Sequence, residues 1–111
     1  MLKISIITTV YNNGSTIEDT IKSVLAQDYP NIEHVIVDGG STDNTSAVIE
    51  KYRDQIGQYV SEPDKGPYDG MNKGVRMATG DVVGILNSDD FFTAPNVVSQ
   101  LVAAFEKYDC D

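Results

Sequence analysis

The run Val82-Val83-Gly84-Ile85-Leu86, held between Asp81 and the polar stretch Asn87-Ser88-Asp89-Asp90, sets the tightest limit on what this chain can fold into. A short continuous apolar run bounded by polar breaks belongs to a strand covered on both faces, the pattern of a parallel sheet flanked by helices. The residues after such a strand stand at the carboxyl edge of the sheet, where open α/β sheets gather ligands. Two adjacent carboxylates there repel each other unless a proton, hydrogen-bond donors or a cation offsets them. A divalent metal is the natural partner for Asp89 and Asp90.

The rest of the chain repeats the same strand, polar break and helix. Lys3 to Val10 is rich in Ile, Val and Thr and predicts a first strand, broken by Tyr11-Asn12-Asn13-Gly14. Ser15 with Glu18 predicts a capping box, and Ile17, Ile21, Val24 and Leu25 follow at helical spacing until about Gln27, with Pro30 preventing extension. Ile32 to Val37 predicts a second strand, then the turn Asp38-Gly39-Gly40-Ser41-Thr42-Asp43 and a helix through Tyr52. Gln58 to Ser61 predicts a short third strand, and Glu62 to Gly70 a loop dense in Gly, Pro and Asp. Met71 to Ala78 predicts a helix stopped by Gly80, and an apolar stripe from Val97 to Phe105 predicts another, entered at Thr93-Ala94-Pro95 and ending at Tyr108. Alternating strands and helices with right-handed crossovers give an α/β fold, an open parallel sheet with helices on both faces.

At 111 residues the chain is expected to form a single domain, 1–111, large enough for a core but small for an enzyme that must hold two substrates. The last helix has no strand after it, which leads to the expectation of a fold cut short. The net charge of -9 argues against a non-specific nucleic-acid binder, which needs a basic surface. A lone Cys110 excludes a disulfide framework and a cysteine-based zinc site. With no apolar run of membrane-spanning length, the expected location is the cytoplasm, or the inner face of the membrane as a peripheral protein.

Four strand-to-helix junctions fall on one edge of such a sheet, and each is polar. Any one of them is explained by capping and turn chemistry alone. Together, however, they bring Asp38, Asp64, Asp69, Asp89 and Asp90 to one rim, more mutually repelling carboxylates than folding requires. Asp38 can accept from an amide or imide N–H of a nucleobase, and Tyr11 offers a flat face for stacking. Asp89 and Asp90 would hold Mg²⁺ or Mn²⁺ through oxygen, the metal bridging phosphates. Lys65 and Lys73 read more simply as solvated surface lysines, and His34, inside a strand without a metal-ligand partner, as structural. No P-loop, dinucleotide fingerprint, or Ser or Cys nucleophile motif is present.

Four blocks carry a resemblance. Ile6-Ile7-Thr8-Thr9-Val10-Tyr11-Asn12, Val35 through Asp43, Glu62 through Gly74, and Gly80-Asp81 leading to Leu86-Asn87-Ser88-Asp89-Asp90 are similar, in order and over nearly the whole chain, to the family 2 inverting glycosyltransferases. The resemblance implies a Rossmann-like GT-A fold and a nucleotide-diphosphate sugar donor, a UDP-sugar favoured. It implies nucleotide-binding roles for Thr9, Tyr11, Asp38, Asp69, Asn87 and Asp89, with Asp38 on a pyrimidine imide. Asp89 and Asp90 correspond to the metal-binding Asp-x-Asp element. Asn87 stands where Asp is more usual, and Met71 where some members carry a basic residue.

The family's acceptor-binding half and its general base lie beyond the metal site, so the chain is expected to be the N-terminal donor-binding part, inactive alone. The whole protein would then transfer sugar to a saccharide or lipid-linked acceptor in cell-surface polysaccharide synthesis. A missing half also predicts an exposed apolar face and self-association. A nucleotidyltransferase of similar fold, a non-catalytic nucleotide-binding module and a receiver-type signalling domain are the competing readings. The first needs a basic loop after the first strand, and the last groups its paired acids there; neither feature is present.

Overall fold

A computed structural model of the chain describes residues 2–108. Cys110 lies outside the described residues. One sheet of four strands runs in the order β3-β2-β1-β4, with β1 at Ile4–Val10, β2 at Ile32–Asp38, β3 at Gln58–Ser61 and β4 at Val82–Ile85. Every adjacent pair is parallel, with Ile7 opposite both Val35 and Ile85. The open parallel sheet expected from the repeating pattern is therefore what forms.

The two-residue period of the strands divides the core. Ile4, Ile6 and Val10 of β1, with Ile36 of β2, face three helices: α1 (Ile17–Leu25), α2 (Thr45–Glu50) and α4 (Val97–Tyr108). Those helices contribute Ile17, Ile21, Val48, Ile49, Val98 and Val102, all buried. Ile7, Val35 and Val37 point to the opposite face, which α3 (Pro67–Met77) covers. Each fully buried aliphatic side chain removes enough apolar surface to contribute about 2 kcal/mol.

Helix α3 comes unusually close to β1 because Gly74 has no side chain. A Cβ there would lie 2.4 Å from Ile7 Cγ2. Gly74→Ala is therefore expected to destabilise the domain by about 1–3 kcal/mol through overpacking, despite alanine's better helix propensity. A lower urea midpoint would show this; an unchanged or raised midpoint would contradict it.

Four expectations need correction. Among the described residues β4 is an edge strand and not one covered on both faces, since there it pairs with β1 alone and α3 lies over β1 and β2. Val83 and Ile85 are consequently 42% and 48% exposed. The Ser15–Glu18 capping box does not form, because α1 starts at Ile17 with Thr16 as its cap residue. Glu18 instead accepts the Tyr52 hydroxyl, a bond that lowers its pKa. Helix α3 begins at Pro67, four residues before Met71, so Asp69 and Gly70 are helical; proline suits a first turn, where its missing N–H costs nothing. The second helix ends at Glu50, and a 3₁₀ turn at Arg53–Gln55 follows it.

Far from the carboxyl edge, on the α3 face, Glu33 is buried in a ring of donors. Ser5 Oγ and the Thr79 N–H donate to Oε1 at 2.7 and 3.0 Å. Thr79 Oγ1 and Gln58 Nε2 donate to Oε2, each at 3.1 Å. His34, facing the other way, is buried against the Thr8 hydroxyl at 2.9 Å, which agrees with a structural role. No helix among the described residues is long and apolar enough to cross a membrane.

Candidate functional site

A cavity of about 670 Å³ opens at the carboxyl edge of the sheet, within the size range of small-molecule sites. All four strand-to-helix junctions line it. The first gives Thr9, Val10, Tyr11 and Asn13, the second Gly39 and Gly40, the third Pro63, Asp64 and Gly66, and the fourth Asn87 and Ser88. Of the residues expected to bind nucleotide, Thr9, Tyr11 and Asn87 line this cavity. Tyr11 is 60% exposed, a flat apolar face offered at the cavity wall.

Asp38 lies behind that wall. Strand parity turns it toward the α2 side, and it is fully buried. Its Oδ1 accepts from the Ser41 N–H (3.1 Å) and hydroxyl (2.5 Å), and its Oδ2 from Ser46 Oγ (3.3 Å) and Ser61 Oγ (2.9 Å). Four donors fill the acceptor capacity of a carboxylate. As the structure stands, Asp38 braces the second junction and offers no free oxygen to the cavity.

The carboxylate on the wall is that of Asp64. Its Oδ1 accepts from the Gly66 N–H at 3.0 Å, where Gly66 turns the chain with φ 114°. Two glycines clear its place, since a Cβ on Gly39 would lie 2.9 Å from Oδ2 and one on Gly70 3.2 Å from it. Asp64 was visible in the sequence only as one acid of the rim. What singles it out is the pairing of Gly39 with Gly70, which local sequence reasoning cannot see. Asn13 and Ser88 were missed for the same reason: Asn13 Nδ2 donates to Ser88 Oγ at 2.8 Å across 75 residues of sequence.

Asp69 does not reach the wall. It sits in the first turn of α3, accepts from the Lys65 N–H at 3.1 Å and lies 3.9 Å from Lys73 Nζ. Lys73 pairs more closely with Glu62, at 3.0 Å, so this lysine is occupied. No Lys or Arg lines the cavity among the described residues.

Asp89 and Asp90 are exposed beside Ser88 on a turn closed by the Asp90 N–H and the Asn87 carbonyl at 3.0 Å. Helix α1 fixes that turn from below. Thr16 Oγ1 donates to the Ser88 carbonyl at 2.9 Å, and the buried Thr20 hydroxyl lies 3.1 Å from the Ser88 carbonyl and 2.5 Å from that of Asp90. Among the described residues no three His, Cys, Asp or Glu side chains gather as a metal cluster. Two neighbouring carboxylates without a third protein ligand still fit Mg²⁺ or Mn²⁺, which commonly keep water and take phosphate oxygens as further ligands.

Comparison with known proteins decides the family. Residues 5–111 match the profile of glycosyl transferase family 2. This chain belongs to that family. A Mycobacterium tuberculosis glycosyltransferase is 42% identical over 102 residues, covering 91% of this chain and 39% of its own length. Bacillus subtilis TuaG, a glycosyltransferase assigned by name to teichuronic acid biosynthesis, is 36% identical over 94% of this chain and 42% of its own. This family 2 chain therefore spans well under half the length of these relatives.

Solved structures agree on the architecture. Staphylococcus aureus TarS (residues 1–349) in complex with UDP superposes with TM-score 0.85 at 32% identity, over 96% of this chain and 32% of that one. The mannosyltransferase PcManGT of Pyrobaculum calidifontis, in complex with GDP-Man and Mn²⁺, gives 0.84 at 28%, over 91% and 31%. The family 2 chain has the Rossmann-like GT-A sheet that its blocks implied.

Proposed function

We propose that this chain is the donor-binding part of a glycosyltransferase that uses a nucleotide-diphosphate sugar, a UDP-sugar favoured. The whole protein would pass the sugar to a saccharide or lipid-linked acceptor in cell-surface polysaccharide synthesis. One observation carries the reading: a single cavity, built by all four junctions of a family 2 chain, with an aromatic face and a carboxylate on its wall and a paired-carboxylate turn beside it. The UDP, UDP-GlcNAc and GDP-Man in related structures support the donor class.

In this reading the base stacks on Tyr11, beside Thr9, with its N–H edge toward Asp64. Asp38 serves from beneath, holding Ser41 and the Gly39-Gly40 turn in place. Asp69 shapes the third junction through the Lys65 N–H. Asn87, an amide where a carboxylate would add more negative charge, can bond a ribose hydroxyl. Asp89 and Asp90 would hold Mg²⁺ or Mn²⁺, which when bound offsets charge on the leaving diphosphate. Among the described residues no basic side chain lines the wall, so a bound metal would be the cation offered to that charge, and a nucleotidyltransferase reading, which needs a basic loop, finds no support.

The chain alone would bind donor without turnover. Acceptor binding and the general base that deprotonates its hydroxyl are assigned to the length of the relatives that this chain does not span. The protein would work in the cytoplasm, at or near the inner face of the membrane. Val83 and Ile85 on β4 would also support self-association, expected as a sedimentation coefficient that rises with concentration and falls back in Ile85→Lys; a coefficient independent of concentration would dismiss it.

The reading is tested by calorimetric titration of the chain with UDP, UDP-sugars and GDP, with and without Mn²⁺. Metal-dependent binding of UDP is the expected result. Absence of binding by every nucleotide at millimolar Mn²⁺ would overturn it for this chain.

A further inference from the structure

Asn12 is the one non-glycine residue with positive φ, at 51°, among the described residues. Asparagine tolerates this left-handed conformation better than most residues, yet it is still held there at a cost that the surroundings must offset. Asn12 is exposed, so core packing does not hold it. Hydrogen bonds do, and all of them reach the opposite junction.

Its Oδ1 accepts from the Thr42 N–H at 2.8 Å and the Asp43 N–H at 3.3 Å; since both partners are donors, they fix which way the amide faces. Its own N–H donates to Ser41 Oγ at 2.8 Å, and that hydroxyl donates to Asp38 Oδ1. The two following residues continue the seam, Asn13 N–H to Thr45 Oγ1 at 3.1 Å and Gly14 N–H to Asp43 Oδ2 at 3.2 Å. Tyr11 immediately precedes this seam on one wall of the cavity, while Gly39 and Gly40 precede it on the other.

We propose that Asn12 is a positioning residue whose left-handed backbone and amide oxygen lock the first junction to the second, setting the spacing between Tyr11 and the Gly39-Gly40 wall that receives the base. This rests on the nucleotide-sugar reading above. A backbone free to relax at Asn12 would let the Tyr11 face swing from the opposing wall, while leaving the turn at Asp89 and Asp90 in place.

Three variants separate the two contributions. Asn12→Gly keeps access to positive φ and removes the acceptor, Asn12→Asp keeps both, and Asn12→Ala loses both. Binding of UDP, uridine and inorganic pyrophosphate is measured at millimolar Mn²⁺, well below the melting temperature, with amide exchange at Thr42 and Asp43 followed by NMR. Asn12→Gly is expected to weaken UDP and uridine alike by about tenfold, the scale of one or two lost hydrogen bonds, with pyrophosphate affinity kept within about twofold. Exchange at the two amides should rise in the same variant. Asn12→Asp should restore both readouts, and Asn12→Ala should be at least as impaired as Asn12→Gly. Unchanged UDP affinity in Asn12→Gly, or equal loss for UDP and pyrophosphate, would overturn the positioning role while the nucleotide-sugar reading stood. Failure of the unaltered chain to bind UDP would overturn both.

Discussion

Asp89→Ala is expected to abolish the Mn²⁺ dependence of UDP binding, with a loss of about a hundredfold or more at millimolar metal. The reason is the small donor set. Two exposed acidic residues follow Ser88 in sequence, and no group of three His, Cys, Asp or Glu side chains forms among the described residues. Removing one of two protein ligands leaves an ion held by a single carboxylate, that of Asp90, with phosphate and water, and each tenfold of affinity corresponds to about 1.4 kcal/mol. Uridine has no phosphate, so its binding should be indifferent to the change. Asp64→Ala should behave in the opposite way. It removes the carboxylate from the base side of the cavity, so UDP and uridine should weaken together by about tenfold while the Mn²⁺ dependence survives. If Asp89→Ala weakened uridine as much as UDP, or if Asp64→Ala erased the metal dependence, the assignment of the two ends of the cavity would be wrong.

That division of labour differs from the one the sequence suggests, and the difference has a physical origin. β-branched runs broken by polar junctions place β1, β2 and β4 to within a residue or two, while the short, half-buried β3 is marked mainly by the breaks on either side of it. The junctions then fall on one edge by topology, so the cavity's location follows as well. What a linear reading cannot supply is direction across the sheet. Asp38 ends β2 on the same parity as His34 and Ile36, which turns it toward α2 and the serine hydroxyls and away from the cavity. Asp64 comes forward only because Gly39 and Gly70, from two different junctions, leave space around its carboxylate. Val82 to Leu86 likewise reads as fully buried, yet among the described residues nothing covers the face that carries Val83 and Ile85, so the apolar run extends to a side left open. The left-handed Asn12 carries no sequence signal beyond being an asparagine after a strand.

A second large effect is expected from acid, and it originates at two buried groups away from the cavity. Burial alone would raise the Glu33 pKa, but the Thr79 N–H and the Ser5, Gln58 and Thr79 side chains outweigh it and bring the carboxyl from 4.5 down to about 2. A depressed carboxyl contributes stability in full above its unfolded pKa and loses it as pH falls from about 4.5 toward 2. The shift corresponds to about 3 kcal/mol. Burial pushes His34 down from 6.5 to about 4, so the folded state resists its protonation. Here the unfolded chain takes up the proton first, and stability present above pH 6.5 is lost as pH falls toward 4, again by about 3 kcal/mol. Both terms have the same sign in adjacent windows, and their sum is comparable to the whole stability of a small domain. Urea unfolding from pH 7.5 to 3 should therefore show a midpoint that declines from about pH 6.5, well above the range where exposed carboxylates titrate. His34→Gln should flatten the decline between 6.5 and 4 whatever it does to the plateau, and Glu33→Gln should lower the plateau and flatten the decline below 4.5. A midpoint that stayed level to pH 4.5 in the unaltered chain would contradict the role of His34, and an unchanged acid limb in Glu33→Gln would contradict that of Glu33.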